Sequence, residues 1–480
     1  MTLRGANEEL QPTRVRHGVL GLVCSLSMIT YLDRVCFGAA APRIVADLGL
    51  SGTADLKWAF TLFAVAYGAF EIPAGRLGDR LGPRGTLLRI VLWWSVCTAL
   101  TGVIGWRVAG VTLGGLTSLV VLRFLFGAGE AGAYPNITRA VHNWFPPAFW
   151  ETAQGLVWMS GRLMGGLTPL VWALLVEGTR FTGPLLNWRG AFVLFGVIGL
   201  CWCVCFARAF RNRPEEHSQV NQAELRLLEP RITPTTAGHG AIPWRALATN
   251  RSLAALCLMY MGITYGWYFN ITYLASYLQQ RYQPPQGDLL AAVYQGGPLW
   301  VGAIGCVTGG VLVRRLTRRC GDQGLARRIL GVTALLLCAG SWGAAMYVPN
   351  MHLFFICVSA GAFLNDLTMG ACWATCQDLG GRHAGVTAAW MNTTGTIGAA
   401  LAGWVTGTIV QNAQLSHAAA LGAASVAALP AAEQHASLLV GYDQVFFSYA
   451  AVYAVAAFCW LGIDPKRKVE PDRDDEHALP

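Results

Sequence analysis

Charged side chains are scarce in this sequence, at 13% of 480 residues. Soluble globular domains carry about 25%. Apolar residues make up 54% of the chain, and the mean hydropathy is +0.43. A soluble globular domain is therefore excluded, and the composition is that of an integral membrane protein. The 56 glycines agree with this, because small residues let membrane helices approach one another closely.

Patterns for metal binding and for nucleophilic catalysis are also missing. The 14 cysteines show no ligand spacing, and Cys201, Cys203 and Cys205 would spread over different faces of a helix. His142 and His383 have no serine or aspartate constellation around them. We therefore expect no metal, no disulfide framework and no cofactor other than a proton gradient. A membrane enzyme or sensor is the least favoured class.

Apolar segments recur along the chain with short polar breaks between them. Six come before a long polar stretch and six follow it, which predicts an all-α membrane protein with twelve transmembrane helices in two pseudo-symmetric six-helix bundles. The predicted parts are a cytoplasmic N-terminus at 1–16, a bundle at 17–208, a cytoplasmic linker at 209–251, a bundle at 252–463 and a cytoplasmic tail at 464–480. A Gly/Ala-rich segment at 412–437 is predicted as a periplasmic loop, either irregular throughout or containing a short surface helix.

The basic residues predict the orientation of these helices. With the N-terminus in the cytoplasm, 26 Lys and Arg residues lie on the cytoplasmic side, six on the opposite side and three inside spans. This distribution explains the net charge of +9 through contact with anionic lipid, without nucleic acid. No cleavable leader is indicated, so the first helix is expected to remain. We expect a monomer in the bacterial inner membrane with both termini in the cytoplasm.

One loop motif suggests a family. After the second span the chain reads GRLGDRLGPRG, which resembles the signature loop of the major facilitator superfamily. The glycines suit a tight turn between closely packed helix ends, and an aspartate near a helix N-terminus accepts hydrogen bonds there. The resemblance implies a cytoplasmic latch formed by Gly75, Asp79, Arg80, Gly82 and Arg84. The matching loop of the second half, GGVLVRRLTRRCGD, lacks the aspartate and is interpreted as a degenerate copy.

Further segments resemble the anion:cation symporters within that superfamily. They are YLDR in the first span, RFLFGAGEAGAYPNITRAVHNWFP in the fourth, and DLGGRHAGVTAAWMNTTGTIG leading into the eleventh. Members of this family carry organic anions, including the sugar acids galactonate, glucarate and hexuronates in bacteria. The resemblance implies proton-coupling roles for Asp33 and Glu130 and anion binding by Arg34. It also implies that Tyr67 and Asn392 contact substrate.

The charges inside the first and fourth spans are costly and need an explanation. Asp33 and Arg34 point about 100° apart on a helix, so each needs a partner on another helix. Arg123 and Glu130 lie seven residues apart on one face of the fourth span and are the candidate partners. The two acids and two bases are expected to line one central space, in which the guanidinium of Arg34 fits a substrate carboxylate and Arg123 is a further candidate for substrate binding. The alternative is an ion-pair network that only fixes helix packing. A structural role is also expected for Arg162.

The second half is predicted to recognise the uncharged part of the substrate. Its spans hold many neutral polar side chains, Tyr265 among them, which suit the hydroxyl groups of a sugar acid. The resemblance places Trp373 in the cavity lining. The family commonly has Trp-Leu-Pro in the seventh span where this chain has Tyr273-Leu274-Ala275, a difference that affects the shape of the gate. The one clear acid, Asp366, is either a second proton site or a partner of a helix dipole.

These observations predict a secondary active transporter. The expected activity is proton-coupled symport of a small organic anion, such as an aldonate, aldarate or hexuronate, by alternating access. An anion exchanger or a uniporter for another carboxylate remains the alternative.

Overall fold

The computed structural model describes residues 11–50, 53–108, 111–178, 183–228, 242–283 and 289–469. These residues are almost entirely helical, and the one sheet among them is a two-stranded antiparallel hairpin. Eight helical stretches of the described chain are long and apolar enough to cross a membrane. The protein is therefore a multi-pass membrane protein.

The first half of the chain forms seven long helices and one hairpin. The helices are α1 (Val15–Leu48), α2 (Lys57–Leu81), α3 (Pro83–Thr101), α4 (Leu116–Glu130), α5 (Ala133–Trp144), α6 (Trp150–Trp172) and α7 (Trp188–Ala209). The hairpin strands are β1 (Trp106–Val108) and β2 (Val111–Leu113), with Trp106 opposite Leu113. Within this bundle α1 packs on α6, α2 on α4 and α3 on α7.

The rest of the chain begins with two short helices, α8 (Gln222–Leu228) and α9 (Trp244–Thr249). The long helices that follow are α10 (Arg251–Thr272), α11 (Leu274–Tyr282), α12 (Leu289–Cys320), α13 (Gln323–Ala345), α14 (Met351–Asp366), α15 (Met369–Gly380), α16 (Ala384–Ala420) and α17 (Ala431–Cys459). Here α12 packs on α14, and α13 and α10 pack on α17. With α4/α5, α10/α11 and α14/α15 each taken as one broken helix, the described helices are consistent with the predicted twelve.

The chain divides into two compact units. Unit 1 comprises Met1–Trp244, Cys376–Trp390 and Lys468–Pro480, and unit 2 comprises Arg245–Thr375 and Met391–Arg467. The sequence predicted one boundary in the linker at 209–251. The structure also assigns a short segment of the second half, 376–390, to the first unit.

Unit 1 contains a helix break directly after Glu130. Gly132, between α4 and α5, has φ 83°, a conformation that favours glycine. A Cβ there would overlap the side chain of Ala74, so α2 also approaches closely at this point. The break leaves Glu130 as the last residue of α4, inside the bundle rather than at its edge.

The predicted loop at 412–437 was largely wrong. Helix α16 continues to Ala420 and α17 begins at Ala431, so only 421–430 separates them. The segment is rich in alanine, which has the highest intrinsic helix propensity. The His417 ring nitrogen Nε2 also lies 2.8 Å from Glu433 Oε2, which joins the ends of the two helices.

Candidate functional site

An ion pair joins the middle of α1 to the end of α4. Arg34 Nε donates to Glu130 Oε1 at 2.7 Å. The Glu130 side chain is 1% exposed, whereas that of Arg34 is 29% exposed. This confirms that Arg34 has a partner on another helix. One member of the pair is thus sealed in protein and the other remains accessible.

Asp33 lies beside this pair in a different environment. It is 2% exposed, and within the described residues neither carboxylate oxygen makes a hydrogen bond of ordinary geometry. Its neighbours include the hydroxyl of Thr98, and the charges of Glu130 and Arg123 act on it. Burying a carboxyl group without strong hydrogen bonds is costly, so Asp33 is an unusual residue for a position that only packs helices together.

Arg123 is enclosed by aromatic rings. Its guanidinium carbon lies 4.1 Å from the ring centre of Phe37, 4.7 Å from that of Phe63 and 4.8 Å from that of Phe126. The side chain is buried, at 4% exposure. Desolvated cation–π contacts stabilise an arginine in such a cage. Arg123 is thus buried in a cage of three aromatic rings, and its predicted role in substrate binding stays a prediction.

Tyr67 holds Arg34 from a second side. The guanidinium carbon of Arg34 lies 4.6 Å from the Tyr67 ring centre, and Tyr67 is buried on α2. The structure thus brings together Asp33, Arg34 and Tyr67 with Glu130 and Arg123, from three helices of unit 1.

Arg162 on α6 belongs to the same bundle. Its Nη1 donates to the hydroxyl of Tyr31 on α1, and its guanidinium carbon lies 5.4 Å from the Trp158 ring centre. Trp158 in turn stacks on Tyr134, with ring centres 4.3 Å apart and planes 9° apart. The sequence pattern did not reveal this cluster, although Tyr31 precedes Asp33 and Arg34 by only two and three residues.

Two of the residues predicted in unit 2 meet at a tyrosine that the sequence did not single out. Tyr260 donates its hydroxyl to Asn392 Oδ1 at 3.2 Å and packs edge-on against Trp373, with ring centres 5.9 Å apart. Tyr265 lies elsewhere: its hydroxyl is 3.2 Å from Ser448 Oγ. Residues 260 and 265 are five apart on α10, so they occupy different faces of the helix.

Asp366 is the last residue of α14 and is fully buried. Asn365 donates to its Oδ1 at 2.9 Å, and Gly302 of α12 faces the other oxygen. Tyr453 and Cys338 are within its electrostatic reach. Both roles considered from the sequence remain predictions.

The loop motif of α2 makes specific contacts within unit 1. Asp79 accepts hydrogen bonds from the backbone N–H groups of Gly385 at 3.0 Å and Val386 at 2.9 Å, at the start of α16. The guanidinium of Arg139 lies 3.7 Å from Asp79 and donates to the Gly381 carbonyl at 3.2 Å. The carboxylate therefore caps a helix N-terminus, where negative charge is favourable.

The remaining motif residues form the turn itself. Gly82 has φ 82°, and Asn212 packs directly against it. Arg84 donates two hydrogen bonds, from its backbone N–H to Asn212 Oδ1 at 2.9 Å and from its guanidinium to the Ala207 carbonyl at 2.6 Å. Gly75 leaves room for the backbone of residue 385. Arg80 is exposed.

No group of three or more potential metal ligands occurs among the described residues. Around the pair of α1 and α4, unit 1 instead places a partly exposed arginine, Arg34, beside the buried carboxyl groups of Asp33 and Glu130. At the end of α2 it has a helix-capping aspartate, Asp79. The sequence profile of the Major Facilitator Superfamily matches residues 23–403. The chain belongs to the Major Facilitator Superfamily. It is a membrane transporter and not an enzyme.

Curated relatives of this transporter carry names that refer to organic anions. It is 32% identical to a probable sulfoacetate transporter, SauU, of Cupriavidus necator, over 98% of this chain and 100% of that protein. It is 29% identical to a hexuronate transporter of Bacillus subtilis, over 79% of this chain and 85% of that one. It is 27% identical to a D-galactonate transporter of Escherichia coli, over 84% of this chain and 90% of that one.

Solved structures agree on the fold. A bacterial homolog of the human lysosomal transporter Spinster aligns with a TM-score of 0.60 at 19% identity, over 96% of this chain and 99% of that one. The fucose:proton symporter of Escherichia coli aligns with a TM-score of 0.60 at 16% identity, over 92% of this chain and 99% of that one. At these identities the likeness establishes the architecture alone.

Proposed function

We propose that this transporter moves a small organic anion together with protons by alternating access. The names of its relatives support a carboxylate or sulfonate substrate, and they widen the expected class from sugar acids to compounds such as sulfoacetate. The plasma membrane is the proposed location.

The observation that carries this proposal is the pair between Arg34 and Glu130. A substrate anion that reaches Arg34, whose side chain is partly exposed, competes with Glu130 for the guanidinium. Glu130 is then a buried carboxylate with a weakened partner, which is costly, so it binds a proton. Anion binding and proton binding thereby favour each other.

Asp33 is the second proposed proton carrier. It lies next to Arg34 in the chain, and the charge of Glu130 acts on it. Neutralising either carboxyl group relieves repulsion at the other, so the two titrate as a coupled pair. Arg123 remains charged within its aromatic cage throughout.

The neutral polar groups of unit 2 are proposed as hydroxyl-binding groups. Tyr260, Asn392 and Trp373 form a contiguous cluster of hydroxyl, amide and indole groups. Such groups match hydroxyl groups without adding charge.

The test is uptake into proteoliposomes that contain the purified full chain. Radiolabelled sulfoacetate, galactonate, galactarate and glucuronate are supplied outside under an inward proton gradient. We expect gradient-driven accumulation of at least one of them, and loss of at least about tenfold in Arg34→Ala, because removing one partner of a buried charge pair costs about 2–5 kcal/mol. Arg43→Ala, at the outer end of the same helix, is the matched control.

The alternatives predict different results in the same vesicles. Uptake that needs anion inside rather than a proton gradient would indicate exchange. Downhill uptake that depends neither on internal anion nor on a proton gradient would indicate a uniporter. Absence of uptake for every acid, with correctly folded protein, would contradict the proposed substrate class.

A further inference from the structure

The first part of the polar linker is bound to unit 1 at both of its ends. We call residues 209–224 the strap. At one end of the strap, α5 finishes with the fully buried Trp144, whose indole N–H donates to the Arg211 carbonyl at 3.0 Å. Asn143 donates to the next carbonyl, that of Asn212, at 3.1 Å. The last turn of α5 therefore fixes the strap where it leaves α7.

At its other end the strap caps the beginning of α1. Helix α1 has no acidic residue in its first turn and no side-chain cap of its own. The fully buried Glu224 supplies a cap. Its carboxylate accepts hydrogen bonds from the backbone N–H of Arg16 at 3.3 Å, from the Arg16 guanidinium at 3.2 Å and from the Thr13 hydroxyl. Negative charge is favourable at a helix N-terminus, and charge-assisted hydrogen bonds are strong, so this contact holds the first turn of α1.

Asn221 binds the same stretch of chain in both directions. Its side-chain oxygen accepts from the N–H of Thr13 at 3.2 Å, and its own N–H donates to the Thr13 hydroxyl at 3.3 Å. Its amide group also donates to the Gln11 carbonyl at 2.8 Å. The same oxygen accepts from the N–H of Glu224 at 2.9 Å, which orients the capping glutamate. The end of the strap and the start of α1 are thus bound together by backbone and side chains.

The strap joins the two helical segments that carry the ion pair. Helix α1 carries Arg34, and α5 follows the helix break after Glu130. Helix α1 packs mainly on α6, and α5 is a minor neighbour. Between the strap and the ion pair, the hydroxyl groups of Ser27 and Tyr134 connect α1 to α5 at 3.0 Å. The position of Arg34 relative to Glu130 therefore depends on a few polar links, and the strap is one of them.

We propose that the strap holds α1 in the position that lets Arg34 pair with Glu130, with Glu224 and Trp144 as positioning residues. Arg34 lies about 27 Å along the axis of α1 from Arg16. A helix is stiff over this length, so a shift of its first turn moves Arg34 as well. The inference rests on the proposed function, because that function links the anion to the proton through this pair.

A weaker pair changes how Glu130 holds its proton. The charged and titratable groups around Glu130 and its neighbours are Asp33 and Arg34 on α1, Tyr67 and Glu71 on α2, Cys97 on α3, and Arg123 on α4. Of these, Arg34 is in contact with the carboxylate, at 2.7 Å. Since attraction falls with distance, moving α1 away removes mainly the stabilisation of ionised Glu130 by Arg34. Glu130 then keeps its proton to a higher pH, and proton-driven uptake persists to a higher pH.

Uptake against external pH, in proteoliposomes of the full chain, tests the inference. The substrate is whichever of sulfoacetate, galactonate, galactarate and glucuronate the wild type accumulates. Glu224→Ala should move the pH of half-maximal uptake upward by about one unit, because an opposite charge in contact with a carboxyl group changes its proton affinity by about 10- to 1,000-fold. Trp144→Phe keeps a ring but removes the N–H that binds the Arg211 carbonyl. It should move the midpoint in the same direction by less.

Three further variants separate positioning from packing. Glu224→Gln keeps an acceptor oxygen but loses the charge, so it should give an intermediate shift. Glu215→Ala, which changes an exposed glutamate of the strap, is the matched control and should keep the wild-type profile. Glu224→Ala combined with Glu130→Gln should show the same pH-insensitive uptake as Glu130→Gln alone, because the strap then has no titrating acid to act through.

The outcomes separate failure of the inference from failure of the proposed function. A wild-type profile that does not change with pH, or absence of uptake for every acid, would contradict the proposed proton coupling and the inference with it. A pH-dependent wild type whose midpoint is unchanged in Glu224→Ala and Trp144→Phe overturns the inference alone, even if uptake is lower at every pH. A downward shift also overturns it. If Glu224→Ala cannot be recovered folded, Glu224→Gln and Trp144→Phe decide in the same way.

Discussion

At the scale of single residues, burial distinguishes the two members of the ion pair between α1 and α4. Glu130 is almost wholly buried and Arg34 is partly exposed. Separating them costs much more at the buried carboxylate than at the accessible guanidinium. In the proposed mechanism, a competing anion binds the cation, and the buried acid then takes up a proton.

This asymmetry predicts the behaviour of Glu130→Gln. The amide keeps a hydrogen-bond acceptor for Arg34 but does not titrate. Wild-type uptake should fall as the external pH rises, because fewer protons are available for co-transport. Uptake by the variant should change by less than about twofold over the same range, with anion exchange retained. Initial uptake rates against external pH provide the measurement.

Glu177→Gln is the control for this prediction. Glu177 is half exposed and pairs with Arg43 at the far end of α1, so its variant should keep the wild-type pH profile. A wild-type profile in Glu130→Gln itself would exclude Glu130 as a proton carrier.

At the scale of elements, helix ends place the important acids. Glu130 ends α4, Asp366 ends α14, and Asp79 lies in the last turn of α2. In the first case a glycine with positive φ enforces the break. The carboxylate of Asp79 caps the N-terminus of a different helix, α16. Only for Asp79 does a helix end supply the partners, because the free N–H groups at the start of α16 bind its carboxylate. Glu130 and Asp366 lie at helix C-termini, where the free backbone groups are carbonyls.

The cap on α16 makes a measurable prediction for Asp79→Asn. The amide removes the charge and one of the two acceptor oxygens, so a charge-assisted cap worth about 1.5–3 kcal/mol is weakened. The backbone amides of Gly385 and Val386 should then exchange hydrogen about tenfold faster or more. Hydrogen-exchange mass spectrometry of the peptide covering 381–390 is the measurement.

Asp322→Asn is the matched control for the cap. Asp322 caps α13 through the N–H of Leu325 at 2.8 Å, in unit 2. That variant should leave the exchange of 381–390 unchanged. Unchanged exchange in Asp79→Asn would mean that the carboxylate is not what holds this segment.

At the scale of the whole molecule, the distribution of basic residues predicts the orientation. The loops assigned to the cytoplasm hold 26 of the 35 Lys and Arg residues, and such an asymmetry sets the topology of multi-pass proteins. The loop motif, the linker and both termini would then share the cytoplasmic side, with the turn at 421–430 on the other.

Reporter fusions check this orientation. Green fluorescent protein fused after Pro480 should fluoresce, and alkaline phosphatase fused after Ser425 should be active, because the latter folds only outside the cytoplasm. Alkaline phosphatase fused after Asp322 should be inactive. The reverse pattern of activities would invert the topology and, with it, the direction in which protons drive uptake.

Much of the architecture followed from local patterns. Apolar runs of membrane length predicted the helices, and the glycines and aspartate of GRLGDRLGPRG predicted a turn with a helix-capping acid. The failure at 412–437 was also local: small residues were interpreted as a loop, although alanine favours helix and the ends are joined by His417 and Glu433.

The sequence by itself determined the class of protein, its helix order, the family and the presence of Asp33, Arg123 and Glu130 inside membrane spans, because hydropathy and motif spacing are properties of neighbouring residues. Only the tertiary structure decided which charges meet. It paired Arg34 with Glu130, enclosed Arg123 in aromatic rings and brought Arg162 to Tyr31. Partners 96 and 131 residues apart are chosen by helix packing, in which glycine positions and ring shapes decide the approach, and no local pattern encodes that choice.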